Sequence, residues 1–195
     1  MTVDPADLRR CLGHFATGVT VVTCSTGGPG EGAPHGATVN AFSAVSLDPP
    51  LVLVSLDRRS RACRYLDGRP FTVNLLTEQR DDVALHFAGR PMDRPPGWRP
   101  GGAGLAPRLD GALAWIACTP WRRYDGGDHV LFLGEVQRFE YSGADPLVFY
   151  LGAFRHLGQA RPIPPEAVPW LGSADCPGLS WFAPTPASLT QRSTA

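Results

Sequence analysis

The sequence predicts a mainly β domain with peripheral helices, on three observations. Short runs rich in β-branched and apolar residues recur from Val19 onward, several of them alternating with the period of a strand. Segments with helical spacing are few and scattered, whereas a doubly wound α/β domain alternates strands and helices regularly. A chain of 195 residues fits one domain and buries roughly 70% of its unfolded surface, enough for a core without metal or disulfide staples.

The elements follow in order. Asp4-Pro5 supplies an N-cap and a first-turn proline, and Leu8, Cys11, Leu12 and Phe15 recur at helical spacing, which predicts an amphipathic helix ending near Gly18. Val19 to Cys24 reads as a strand, Thr26 to Gly36 as a Gly/Pro loop, and Ala37 to Ala41 as extended chain. The apolar run Leu51 to Leu56 follows Pro49-Pro50 and reads as a buried strand. Asp57 to Ser60 is a polar turn, and Ser60 caps a short helix through Leu66.

Phe71 to Leu75 is a further strand. Thr77 is then expected to cap a helix from Glu78 to Ala88, acidic at its start and stopped by Gly89. Arg90 to Gly104, nearly all Gly, Pro and Arg around Trp98, reads as a long ordered loop or lid. Strands are expected at Ala112 to Thr119, His129 to Tyr141 and Leu147 to Leu151, the middle one long enough to bend across two faces of a barrel. Beyond residue 158 the composition shifts to Pro, Ser and Ala. The expectation is a domain over 1–158 and an extension over 159–195 that packs through Trp170, Leu171, Trp181 and Phe182 and has a disordered end.

Composition narrows the chemistry. The 18 cations balance 18 acidic residues, so no global field favours nucleic acid or an anionic membrane, and neither is expected as a partner. All 18 cations are arginine, which excludes a Walker A loop and Schiff-base lysine chemistry and leaves phosphate to guanidinium groups. No apolar run reaches the ~20 residues of a membrane span, and the N-terminal stretch lacks the apolar region of a secretory signal, so a cytoplasmic protein is expected. The five cysteines form no C-x-x-C pair, and Cys24 and Cys118 read as small hydrophobes in strands. The five histidines lack metal-ligand spacing, so no metal is expected. No G-x-G-x-x-G follows a strand, and neither G-x-S-x-G nor H-E-x-x-H occurs.

What remains is polar residues embedded at strand ends. Asparagine is disfavoured within β runs, so Asn40 and Asn74 each need a reason. Either the amides satisfy backbone groups of turns and bulges, or they line a slot for a flat heterocycle with a phosphate tail.

Five segments carry a specific resemblance: FATGVTVVT from Phe15, HGATVNAFSAVSLDPPLVLVSLDRRSR from His35, FTVNLLTEQ from Phe71, DGALAWIAC from Asp110 and GDHVLFLGEV from Gly127. In order and spacing, over roughly residues 8–158, the chain resembles the flavin reductase-like, FMN-binding split-barrel family. The resemblance implies a six-stranded antiparallel Greek-key barrel, a homodimer, and an NAD(P)H:flavin oxidoreductase of the kind that serves two-component monooxygenases. The cofactors implied are FMN or FAD, with NADH or NADPH as hydride donor and a separate oxygenase as possible partner.

By position, the resemblance places Thr38, Val39, Asn40 and Ala41 along the isoalloxazine, with backbone N–H groups at the edge where charge develops on reduction. Ser55, Leu56 and Asp57 would flank the ribityl chain. Arg58, Ser60 and Arg61 would hold the phosphate with the start of the short helix. Asn74 and Leu75 would close the other side of the ring, and Gln79 would reach the phosphate region. His129, oriented by Asp128, would stand at the nicotinamide as the residue nearest catalysis, with Tyr150, Gly152, Phe154 and Arg155 covering the exposed face. Hydride transfer between stacked rings needs positioning more than acid or base, so no general base is assigned. Ala37 and Ala44 stand where the family pattern has Met and Ser, and Pro95 where it has Phe. These departures leave a second expectation, a flavin-retaining oxidase or monooxygenase acting on its own small substrate, and a third, a non-catalytic flavin- or haem-binding module.

Overall fold

The computed structural model describes residues 3–27 and 32–161, so the expectations for Trp170, Leu171, Trp181, Phe182 and the chain end lie outside the described residues. In chain order the elements are α1 (Pro5–Leu12), β1 (Thr17–Gly18), β2 (Thr20–Ser25), β3 (Pro34–Val39), β4 (Phe42–Leu47), β5 (Pro50–Asp57), α2 (Arg61–Tyr65) and β6 (Phe71–Leu75). They continue with α3 (Asp81–Phe87), β7 (Trp98–Arg99), β8 (Arg108–Leu109), β9 (Ala114–Gly126), β10 (His129–Tyr141), β11 (Val148–Tyr150) and β12 (Ala153–Arg155).

Seven strands form one antiparallel sheet in the order β3-β2-β6-β9-β10-β5-β4, beside a three-stranded sheet β1-β11-β12 and the β7-β8 pair. The six strands from β3 round to β5 roll until β3 and β5 approach each other without pairing, and β4 flanks β5 outside that ring. Helix α2 lies against β2, β3 and β5 at the gap. This is the expected mainly β split barrel with peripheral helices, its edges kept from closing by an inserted helix.

Two apolar clusters explain why β2 is buried along almost its whole length. Val22 and Cys24 face the barrel interior with Val54, Leu56, Phe71 and Phe132. Val21 faces the other way, packing with Leu76, Val83 and Leu147 under α3. Burial pushes the Cys24 and Cys118 thiols up to about 12, so they serve as small apolar side chains, as their strand context implied.

The differences from the sequence reading have local causes. Asp4 accepts from the Ala6 N–H at 2.8 Å and starts α1 as expected. The helix stops at Leu12 rather than near Gly18, because Thr17 and Gly18 are drawn into pairing with Phe149 and Val148. Thr77 does not cap α3: it bridges to Pro146, and the helix starts at Asp81 after an Arg80 that makes no side-chain cap. Strand β4 was missed because its side chains are mostly exposed and lack alternation. Strand β9 runs on past the expected end at Thr119 to Gly126, carried through Pro120 by a bulge opposite Leu133 and Gly134. The Arg90–Gly104 loop is strapped down, with Trp98 edge-on to Phe87 at 5.8 Å and the Met92 N–H donating to His86 Nδ1 at 3.0 Å.

Candidate functional site

The site begins where the ladder between β3 and β4 is interrupted. Asn40 and Ala41 belong to neither strand, and the Ala41 carbonyl accepts from the Ser55 N–H at 3.0 Å. That bond brings the Thr38–Ala41 segment against the Ser55–Asp57 end of β5. Register then carries the site onward: Ser55 pairs with Leu131 and Asp57 with His129, two residues or about 7 Å further along the strand.

Alternation decides which side chains face outward. Val39 and Leu56 are buried in the barrel core, so they offer backbone only, which corrects any side-chain role for them. Asn40 is exposed and lines a cavity of about 250 Å³ together with Phe42 and Leu75. Thr38 donates its hydroxyl to the Ala84 carbonyl at 2.6 Å, tying α3 to the sheet.

Asn74 departs from its expected role. It is fully buried, and its amide donates to the Val21 carbonyl at 2.9 Å and to Thr23 Oγ1 at 3.1 Å while its carbonyl accepts from the Leu109 N–H at 2.8 Å. The side chain stitches β2, β6 and β8 together and does not wall a ring. Of the two reasons offered for an asparagine in a strand, the backbone-satisfying one holds here.

The phosphate set divides. Arg58 is turned to the β9–β10 turn, donating to the Gly127 carbonyl at 3.1 Å and to Asp125 at 2.8 Å, so it clamps two strand ends. The Gly127 N–H and the Arg58 guanidinium hold the Asp125 carboxyl below the usual carboxylate range. Asp57 is taken by Arg59, whose side chain and N–H both bond it and hold its carboxyl far below that range. Ser60 accepts from the Cys63 N–H at 3.1 Å as the expected N-cap, leaving its own O–H to donate. Arg61 is exposed, with its guanidinium in no ion pair among the described residues. Helix α2 has five residues, too short for its dipole to weigh against a guanidinium, so of the three arginines from Arg58 to Arg61 it is Arg61 that remains uncommitted among the described residues. Among the described residues the Gln79 side chain bonds only Glu78, at 3.3 Å.

His129 opens β10 and is partly exposed; its Nδ1 lies 2.7 Å from Asp128 Oδ1, the orienting contact expected. That contact holds the Asp128 carboxyl below its ordinary range. Tyr150, Gly152, Phe154 and Arg155 lie instead on the β11–β12 hairpin. Tyr150 stands edge-on to His14 at 6.3 Å, and Phe154 packs against Phe149 at 5.9 Å in the second core cluster. No hydrogen bond among the described residues joins His129 to this hairpin, because β11 pairs with β1 on a separate sheet. The sequence reading missed Phe15, Ala16 and Thr17, which wall the cavity beside Asn40; their helical spacing had assigned them to the first helix.

The relatives fit this geometry. An NADH-dependent flavin reductase of a Rhodococcus species is 43% identical over 159 residues, covering 80% of this chain and 88% of that one. The reductase subunit HsaB of a flavin-dependent monooxygenase from Mycobacterium tuberculosis is 37% identical over 169 residues, 83% of this chain and 87% of its own. The solved structure of a Streptomyces globisporus NADH:FAD oxidoreductase in complex with NAD and FAD fragments superimposes with a TM-score of 0.70 at 36% identity, covering 81% of this chain and 97% of that chain. A family model described as a flavin reductase like domain matches residues 12–158, and on that match this chain belongs to the flavin reductase-like family.

Proposed function

We propose that this chain reduces FMN or FAD with NADH or NADPH and hands the reduced flavin to a separate monooxygenase component. The observation that carries the reading is the Ala41–Ser55 junction, which joins the Thr38–Ala41 and Ser55–Asp57 segments into one outward-facing track ending at Arg61 and His129. Bound there, the flavin supplies the hydride acceptor and the nicotinamide nucleotide the hydride.

The fit to a flavin rests on three features. The cavity beside Asn40 is mostly apolar and bounded by the ladder break. The Asn40 and Ala41 N–H groups are left unpaired by the sheet, so they offer fixed donors to a carbonyl-bearing ring edge. Arg61, with the Ser60 hydroxyl beside it, offers charge-assisted bonds to a phosphate. His129, steadied by Asp128, orients the nicotinamide, and Tyr150 with its hairpin covers the open face.

The chain forms a homodimer. Its support is apolar surface that the other described residues leave uncovered: Leu12 on α1, Leu47 on β4, and Phe139 and Tyr141 at the end of β10 are all exposed. The flavin reductase domain occupies 1–158 and works in the cytoplasm. The balanced charge supports no nucleic-acid partner, and no described helix is long and apolar enough to cross a membrane.

The purified chain mixed with NADH or NADPH and FMN or FAD loses nicotinamide absorbance only when flavin is added, and gel filtration separates it from the flavin. A protein that retains its flavin and ignores both nicotinamides would instead act on its own substrate. Replacing His129 by Ala raises KM for the nicotinamide roughly tenfold with flavin affinity unchanged, the pattern of a residue that binds the donor. Steady-state titration of each substrate checks it, and an unaltered KM would remove His129 from the site.

A further inference from the structure

Leu151 is the single non-glycine residue with a positive φ among the described residues, at 49°. It stands with Gly152, whose φ is 78°, in the two-residue turn between β11 and β12, where Tyr150 pairs with Ala153. Such a turn asks for positive φ at both central positions, which Gly, Asn and Asp adopt at little cost and a bulky apolar residue does not. Leu151 is about half-exposed, so its own burial offsets little of that strain, and contacts elsewhere must hold it.

Those contacts lie on Gly13, the C-cap of α1. The Leu151 N–H donates to the Gly13 carbonyl at 3.0 Å, and the Leu151 Cδ2 lies 3.6 Å from the point a Gly13 Cβ would occupy. Past Tyr150 the ladder pairs Thr17 with Phe149 and Gly18 with Val148. Continued without interruption, that register would set Phe15 opposite Leu151; instead His14, Phe15 and Ala16 all stand opposite Tyr150, and the surplus residues form a bow. The His14 and Phe15 N–H groups bond back to the Cys11 and Leu12 carbonyls at 3.0 Å, which fixes the bow from the helix side. Phe15 and Ala16 on the bow wall the cavity of about 250 Å³ beside Asn40, and Phe15 is 77% exposed.

We propose that Leu151 is a positioning residue: by holding Gly13 it sets the bow that presents Phe15 to the ring bound in this cavity. The assignment rests on the function proposed above, in which that ring is the flavin's. An uncovered aromatic side chain on a mostly apolar wall offers its face to a flat heterocycle, and the attraction depends on a ring separation that a shift of the bow would spoil. Asparagine would suit the turn better but would leave Gly13 without its apolar cover, so leucine here serves the wall at the expense of the turn.

The test compares Leu151→Asn, Leu151→Met and Phe15→Ala in the full chain, with FMN and riboflavin affinities read from flavin fluorescence and ligand-free stability from calorimetry. Leu151→Asn melts at or above the wild-type temperature, because it relieves the turn, yet binds both flavins roughly three- to tenfold more weakly. The two flavins lose alike, since it is the ring and not the phosphate that meets Phe15. Leu151→Met keeps an apolar chain over Gly13 and stays within about twofold of wild type. Phe15→Ala shows the same loss as Leu151→Asn, and combining the two weakens binding no further. An Asn variant with wild-type flavin affinities overturns the assignment whatever its melting temperature, and so do losses that multiply in the double variant. A loss confined to FMN, with riboflavin unchanged, overturns it too. Both affinities are measured without nicotinamide, so a chain that bound flavin but oxidised neither NADH nor NADPH would overturn the function proposed above and not this assignment. A wild-type chain that bound neither flavin would overturn both.

Discussion

Replacing Asn74 by Leu is expected to lower the stability of the domain by about 3 kcal/mol while leaving flavin affinity intact. The side chains are close in volume, so the core around β6 is neither opened nor overfilled, and the loss is one of hydrogen bonding. Asn74 answers the Leu109 N–H, the Val21 carbonyl and Thr23 from a position with no exposed surface. Its removal strands the Leu109 N–H among the apolar residues of the second cluster, which include Leu109 itself. The dehydration of buried polar groups is then no longer offset. For a domain of this length, a loss of that size moves the melting temperature by roughly 6–12 °C, and calorimetry reads it directly. Below that melting point the Ala41–Ser55 junction, which Asn74 does not touch, should hold flavin as before. A variant that melted normally but lost flavin would return Asn74 to the ring wall.

Asn74 also shows what the sequence made legible and what it did not. Strands such as Phe71–Leu75 and His129–Tyr141 were readable to the residue, because burial on one or both faces imposes a pattern that a single chain records. So was the Ser60 cap, because capping is local chemistry within four residues. The direction of a polar side chain is different: it depends on which strands flank it. An asparagine between β2 and β9 has neighbouring carbonyls to satisfy, whereas Asn40, at a break in the ladder, has none and faces outward. Nothing within either segment separates the two cases. Arg58 and Arg61 divide for the same reason, since Arg58 finds its carbonyl and carboxylate on a turn some seventy residues away. Phe15 to Thr17 were lost to the helix because the spacing up to Phe15 fits one, and it is the strand β11, far along the chain, that draws Thr17 and Gly18 into extended pairing.

Replacing Arg61 by Ala is expected to weaken FMN binding by roughly 10- to 100-fold and to leave riboflavin, which lacks the phosphate, unaffected. Of the three arginines from Arg58 to Arg61, two are already paired. Arg58 is committed to Gly127 and Asp125 and Arg59 to Asp57, while Arg61 heads α2 with no ion pair. Its charge nevertheless registers nearby. His35, half-buried on β3 and edge-on to Tyr65 at 5.1 Å, is held below its ordinary pKa first by burial and then by the Arg61 charge. The sign of that shift sets a second readout. A histidine whose pKa is lowered in the fold takes up its proton more readily when unfolded, so its contribution to stability is present at neutral pH and is lost as pH falls through the ordinary histidine range. Removing Arg61 lets the His35 pKa rise part of the way back, a change that NMR titration of the imidazole detects in the absence of flavin. Salt gives a third: added electrolyte should weaken FMN binding to the wild type and scarcely affect the Ala variant. Arg58→Ala should do the reverse of Arg61→Ala, loosening the β9–β10 turn and lowering the melting temperature while FMN and riboflavin keep their relative affinities. Equal losses of FMN and riboflavin in the Arg61 variant would mean that the phosphate is held elsewhere on the track.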